Sequence, residues 1–237
     1  MILGIETSTA KGSVATIDSE GNIRETVLTE TRNHGRSLAT EVSSLIEERA
    51  SEIEAFAVSI GPGSFTGLRI GLAFLKGLGI VYDRPVVPIS SLRVLAATHT
   101  SSRNGTYESI VLPIFDARGK EVYAGLYRGT GNSCKVMDEL PDGLYTVQDV
   151  VERLDGLNVT ATGDGLSAVI RSSNNQEIPK NWQYSFTRDG QRVAEEFPLA
   201  STLVAIARDE LKQGNVVELD TLEPKYHQLS AAEKNQK

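Results

Sequence analysis

The chain opens on a short apolar run over 2–5 that reads as a buried strand, followed by a polar turn, Thr7-Ser8-Thr9-Ala10-Lys11-Gly12. A second strand is predicted over 13–17, and Gly21-Asn22 turns into a third over 23–28. Strands joined by such tight turns make an antiparallel meander. The hydrophobic period then changes. Leu38, Val42, Leu45 and Ile46 fall on one helical face within 34–49. A buried strand over 55–60 ends at Gly61-Pro62-Gly63, and a helix over 66–81 follows despite Gly67, Gly71, Gly77 and Gly79. A strand over 86–89 and a helix over 91–99 complete the first half.

Residues 101–105 read as a linker. The second half repeats the opening theme more weakly, with a hairpin of 110–116 and 121–127 around Arg118-Gly119 and a strand near 134–137. A short helix over 147–154, a strand over 159–162 and a turn at Gly163-Asp164-Gly165 come next. Residues 174–189 are polar and irregular, and 194–211 is an amphipathic helix. Its apolar stripe, Phe197, Leu203, Val204, Ile206, Ala207 and Leu211, requires burial, so this helix is expected to return to the first lobe. The predicted organisation is an N-terminal lobe over 1–103 with helix 194–211 added, a reduced second lobe over 104–193, and a frayed tail over 231–237.

Composition narrows the function classes. With 237 residues and 40% hydrophobic content, the chain can build a substantial core. A formal net charge of −7 disfavours nucleic-acid binding through a broad basic face. The single cysteine, Cys134, has no intramolecular disulfide partner, in keeping with a reducing compartment. The N-terminus meets Glu6 at once and reads as a strand, not a signal peptide. The longest apolar stretch, 70–82, is interrupted by Lys76, so no membrane span is expected. The expected location is the cytoplasm.

The sharpest local signal is Gly61-Pro62-Gly63-Ser64-Phe65-Thr66-Gly67-Leu68-Arg69-Ile70-Gly71. A strand ends, a glycine-rich turn follows and a helix starts, with Ser64 or Thr66 as cap. Leu68-Arg69 stands where a P-loop needs Lys-Ser or Lys-Thr, and no Gly-x-Ser-x-Gly elbow occurs in it. Spacing alone leaves two readings: a structural turn, or an anion site on exposed backbone N–H groups. Thr7, Ser8, Gly61, Gly63, Ser64, Thr66 and Arg69 are the candidates to face an anion or nucleotide. The following helix is apolar nearly all round, which fits burial inside the lobe or a protein interface.

This segment closely resembles the signature of the TsaB family, also called YeaZ. Ile5-Glu6-Thr7-Ser8-Thr9 resembles the family's opening strand and turn, with Glu6 where Asp is commoner, and His34 with Leu38 resembles its first helix. Asp116-Ala117-Arg118 with Glu121-Val122-Tyr123 resembles its hairpin. The markers are good to about Tyr127. Beyond it they are Thr162-Gly163-Asp164-Gly165 and Pro224-Lys225-Tyr226, where the family's usual Leu-Arg after the tyrosine is replaced by His227-Gln228.

The resemblance implies an α/β fold of the actin/Hsp70-like (ASKHA) type with two related lobes, the second reduced. It implies a scaffold role: TsaB-type subunits dimerise with TsaD, the transferase that places threonylcarbamoyl on the adenosine 3′ to the anticodon of tRNA, and a TsaE-type ATPase joins them. It implies no catalytic residue and no cofactor of the chain's own, with ATP or ADP at the complex interface, tRNA met mainly through the complex, and a homodimer when alone. It places the partner interface on the helix after Gly67 and on the first helix, with Leu68, Leu72, Leu75, Leu78, Leu38 and Val42 as contacts. The family's transferases bind a metal through His-x-x-x-His. The histidines here, His34, His99 and His227, are not so spaced, and no metal site is expected. Asp116, Arg118 and Glu121 are either carboxylate chemistry shared with a partner or hairpin charges with an ion pair. Asp164 reads as a turn former and His34 as a helix-start residue. Two other functions compete: an ATP-dependent enzyme of the sugar-kinase type, for which no extended glycine-rich adenosine motif follows Gly165, and a peptidase, for which no Ser/His/Asp set or zinc motif is present.

Overall fold

The structure, a computed structural model, describes residues 1–28, 34–102, 108–172, 179–184, 187–188, 191–192 and 199–225. In the first lobe β1 (Ile2–Glu6), β2 (Ser13–Ile17) and β3 (Ile23–Val27) form the antiparallel meander. β4 (Ala55–Ser59) and β5 (Val86–Ile89) extend it in parallel, in the order β3-β2-β1-β4-β5. Strands β1 and β4 are buried throughout, as a sheet covered on both faces requires. Helix α1 (His34–Ile46) precedes β4, α2 (Phe65–Tyr82) joins β4 to β5, and α3 (Ser91–Ser102) follows β5.

The second lobe repeats this plan. β6 (Ser109–Asp116) is central, β7 (Glu121–Ala124) and β8 (Tyr127–Thr130) pair with it antiparallel, and β9 (Ser133–Val136) pairs with β8. β10 (Gly143–Thr146) pairs with β7, while β11 (Val159–Thr162) and β12 (Trp182–Tyr184) continue in parallel. The path β10-β7-β6-β11-β12 matches β3-β2-β1-β4-β5 strand for strand. What is reduced is the helices. α4 (Val147–Arg153) and α5 (Leu166–Ser172) have 7 residues each, against 13 in α1 and 18 in α2. A small hairpin, β13 (Thr187–Arg188) and β14 (Gln191–Arg192), precedes α6 (Ala200–Lys212).

The last helix of each lobe packs on the other lobe. α3 lies against β6, β8, β9 and β11, whereas α6 lies against β1, β2, β4 and β5, and the two helices touch. One buried cluster therefore spans both lobes, joining Ile2, Ala15 and Ile89 to Leu95 of α3, Leu203 of α6 and Val111, Phe115 and Tyr127 of the second sheet. α6 starts at Ala200, where Ser13 Oγ of β2 accepts from Leu199 N–H (3.2 Å) and Ala200 N–H (3.0 Å), and Glu25 accepts from Ser201 N–H (3.1 Å). A cap and a carboxylate from the first sheet thus satisfy the positive end of this helix.

Several boundaries differ from the sequence reading. The strand predicted over 121–127 is β7 and β8 in one register along β6, interrupted at Gly125 and Leu126. Leu126 bonds instead with Leu140 and Met137, opposite the stretch where Pro113 has no N–H to offer. Residues 101 and 102, read as linker, belong to α3. β10, α5 and β12 were not predicted. The rest of the linker, residues 194–198 with Phe197, and Tyr226, His227 and the 231–237 tail lie outside the described residues. Against the expectation of no membrane-length segment, α2 is the one helix among the described residues long and apolar enough to cross a membrane by those measures. Arg69 and Lys76 do not break it, and it lies on the first sheet through Leu72 and Leu75.

Candidate functional site: the α2 helix and its N-terminal seam

The carboxyl ends of β1 and β4 meet the start of α2. Ser64 caps the helix by accepting from Gly67 N–H at 3.2 Å, and its own N–H donates to the Ser8 carbonyl at 2.7 Å. A Cβ at Gly63 would overlap Ser8, one at Gly67 the Thr7 carbonyl oxygen, and one at Gly71 the Thr7 hydroxyl. These glycines, spaced by four, form the stripe on which the Thr7-Ser8 turn rests. The turn is buried, and Thr7 Oγ1 and Ser8 Oγ have no hydrogen-bond partner among the described residues.

Glu6 anchors the turn from below. Its buried carboxyl accepts from Ser8 N–H at 2.6 Å and from the Ser59 hydroxyl. Burial pushes its pKa up, the Ser59 and Ser8 hydrogen bonds work against that shift, and Glu25 adds a smaller upward push.

The candidate anion-facing residues do not form one concave set. Thr7, Ser8 and Gly61 lie in the buried seam and Gly63 is half-buried, whereas Ser64, Thr66 and Arg69 are exposed. Arg69 stacks over the Phe65 ring, 3.9 Å from its centroid. The carbonyl of Lys225 lies against Gly61, and Lys225 N–H donates to Ile60 O at 2.8 Å.

The expected interface leucines require correction. Leu38, Val42, Leu68, Leu72 and Leu75 are buried within the lobe, and Leu78 is half-buried. Leu38, Val42, Leu72 and Leu75 belong to one core cluster with Ile5 and Val58. They occupy the inward side of α1 and α2, so they are core residues of the monomer. The outward face of α2 is Thr66, Arg69, Ala73, Gly77, Ile80 and Val81, with Phe65 at its start. Ile80 is 81% exposed and Val81 74%. A Cβ at Gly77 would meet nothing within 4 Å.

In the second lobe Asp116 accepts from Arg118 N–H (2.7 Å) and from the Arg171 guanidinium (2.7 Å), while Asp164 accepts from Asp116 N–H (2.9 Å). These charges brace the β6–β7 turn, where Arg118 has φ 72°, against the β11–α5 turn. Sequence reasoning missed a further cluster between the lobes. Asp142 accepts from the Tyr127 hydroxyl at 2.6 Å and from the Ser90 hydroxyl. Burial first, then the Asp142 carboxylate, pushes the Tyr127 phenol far above its ordinary range. Asp142 follows an undistinguished Leu140-Pro141 and carries no local motif, so only the fold identifies it.

Among the described residues, no group of three His, Cys, Asp or Glu side chains could hold a metal ion. His99 is buried on α3, His34 opens α1, and the sequence holds no His-x-x-x-His pair.

The family model described as TsaD, tRNA N6-adenosine threonylcarbamoyltransferase, matches residues 23–235. The tRNA threonylcarbamoyladenosine biosynthesis protein TsaB of Bacillus subtilis is 35% identical over 131 residues, covering 54% of this chain and 55% of that protein. The first of these relatives is thus matched over about half its length. The protein of the same name from Escherichia coli is 28% identical over 230 residues, 95% of this chain and 93% of that one. A tRNA N6-adenosine threonylcarbamoyltransferase of Staphylococcus aureus is 26% identical, covering 82% of this chain and 63% of that protein. Among solved structures, YeaZ from Pseudomonas aeruginosa superposes with a TM-score of 0.77 at 26% identity, covering 95% of this chain and 98% of that one. The repeated lobe plan, the glycine-striped α2 and these matches carry one conclusion: the chain belongs to the TsaD-type threonylcarbamoyltransferase family and, within it, to the TsaB/YeaZ group.

Proposed function

We propose that this chain is a non-catalytic subunit in the synthesis of threonylcarbamoyladenosine in tRNA, and that it acts by binding a TsaD-type transferase through the outward face of α2. The observation that carries this reading is the exposure of Ile80, Val81 and Phe65 beside Ala73 and Gly77 on one helix. Large exposed aliphatics flanking small residues on a rigid helix mark a surface where another helix can approach closely. The Thr7-Ser8 turn supports the non-catalytic part. In nucleotide-binding members of an actin-like fold this turn faces phosphate, whereas here Gly67 and Gly71 seat it against α2. Any ATP or ADP belongs to the assembled complex, where a TsaE-type ATPase joins, and tRNA is met through that complex. Alone, the chain pairs with a second copy through the same α2 face, so self-association and TsaD binding compete.

The test is reconstitution with the TsaD-type subunit of the same organism. Co-purification, no ATP turnover by the isolated chain, and tRNA modification that needs both subunits are the expected results. Threonylcarbamoyl transfer by this chain alone overturns the proposal.

A further inference from the structure

After α6 the chain turns back along the first lobe. Glu210 fixes the turn, its carbonyl accepting from Asn215 N–H (3.0 Å) and its carboxylate from the Asn215 amide (2.6 Å). Val217 then covers the edge of β5: its N–H donates to Val86 O at 2.8 Å, and Val86 N–H donates back at 3.3 Å. A single turn, Leu219–Thr221, meets α2 at Gly79, and Leu222 enters the core beside Leu72, Leu75 and Val86. Lys225 reaches Ile60 and Gly61, just before α2 begins. From Leu219 to Lys225 the extended chain can span about 20 Å, and α2 rises about 21 Å from Phe65 to Gly79. Residues 215–225 are therefore a strap laid along α2 from its C-terminal to its N-terminal end.

The end of α2 that Leu219 touches is the end least able to hold itself. Gly77 and Gly79 are poor helix formers, and Ile80 and Val81 are β-branched with their side chains in solvent. Beyond Leu75 the buried position of the helix is Gly79, and the side chain set against it is Leu219. Leu78 and Tyr82 are half-buried, with Tyr82 edge-on to Phe56 at 6.3 Å between ring centroids. A Cβ at Gly79 would overlap Leu219, so this glycine, unlike Gly77, makes room for the strap. The N-terminal half of α2 has its own seat, where Gly67 and Gly71 rest on the Thr7-Ser8 turn.

We infer that the strap is a positioning element for the exposed end of α2: by seating Leu219 on Gly79 it keeps the Ile80–Val81 turn helical and fixed on the first sheet. Few buried contacts make a helix end open locally, and the strap supplies the contact this end lacks. Val217, Leu219 and Leu222 thus act through α2. Their effect on binding rests on the reading of α2 as the partner surface; their effect on local order does not.

The experiment follows amide hydrogen exchange along α2 in the full chain, and affinity for the TsaD-type subunit by calorimetry. The variants are Leu219→Ala, Val217→Pro/Leu219→Ala and, as a control off the strap, Gly77→Ala. Val217→Pro removes the N–H that Val86 accepts, at a site away from α2. Thermal melts confirm folding, and Leu219→Ala keeps the test open should the double variant unfold. Leu219→Ala is expected to speed exchange at 79–83 about tenfold, with 67–75 changed by less than about twofold. Gly77→Ala is expected to slow exchange at the same end. In the double variant the end is expected to be open most of the time, and affinity should fall about tenfold because only the ordered fraction binds. Exchange at 79–83 that stays at the wild-type rate, or that rises equally along all of α2, overturns the strap's role. Faster exchange at 79–83 with unchanged affinity leaves the strap's hold on α2 standing and removes α2 as the partner surface.

Discussion

The Tyr127 hydroxyl donates to Asp142 across 2.6 Å, and the same carboxylate takes the Ser90 hydroxyl from the opposite lobe. A Cβ on Gly125 would overlap Asp142 Oδ1, so the glycine makes room for this junction. Tyr127 is buried, and Asp142→Ala leaves its hydroxyl with only the long 3.5 Å contact to the Ser90 hydroxyl. The expected cost is about 1–3 kcal/mol in urea unfolding. Gly125→Ala, which displaces the same carboxylate, is expected to lose stability in the same direction. An Asp142→Ala variant as stable as wild type would show that the junction contributes nothing.

The glycines of α2 separate by position. Gly67→Ala forces a methyl group into the Thr7 carbonyl and is expected to destabilise by about 1–3 kcal/mol. Gly77→Ala meets open space and gains helix propensity, so the isolated chain is expected to become more stable by about 0.5–1 kcal/mol. Thermal denaturation of the two variants checks both signs.

Glu6 gives a pH dependence whose direction follows from its burial. Its folded pKa is raised above the ordinary carboxylate value of 4.5. Its favourable contribution is therefore complete below that value and is lost as pH rises through the folded pKa. Glu6→Gln copies the neutral form and keeps an acceptor for Ser8 N–H. Wild type and variant should have similar stability at low pH, with the wild type falling behind as pH increases. Denaturant midpoints measured across that range test this. A wild type that gains on the variant with rising pH would reverse the assignment.

Much of the first lobe was legible because its strands and caps are locally consistent. Residues 13–17 and 86–89 carry their strands without help, and Ser64 sits where a cap is needed. The second lobe was harder for a physical reason. α5 has only 7 residues, too few for a helical period to show, and β10 is half-buried and exposed along its length. The interface leucines were misplaced because α2 is apolar nearly all round, so hydrophobicity alone could not separate inside from outside. The glycines carried that signal: the four-residue spacing of Gly63, Gly67 and Gly71 marks the side that abuts backbone, and Ala73 and Gly77 lie off it. Asp142 and Ser13 act on partners distant in sequence and could not be read locally.

On the proposed function, the exposed side of α2 holds the partner while its leucine side holds the lobe together. Replacing Ile80, 81% exposed, with Glu should leave thermal stability within ~0.5 kcal/mol of wild type. Leu72→Glu buries a charge in the core and should unfold the chain. The decisive measurement is the affinity of Ile80→Glu for the TsaD-type subunit, by calorimetry or sedimentation. A fall of roughly 3 kcal/mol, about a hundredfold or more, in a folded protein is the predicted result. A folded Ile80→Glu that binds with wild-type affinity contradicts it.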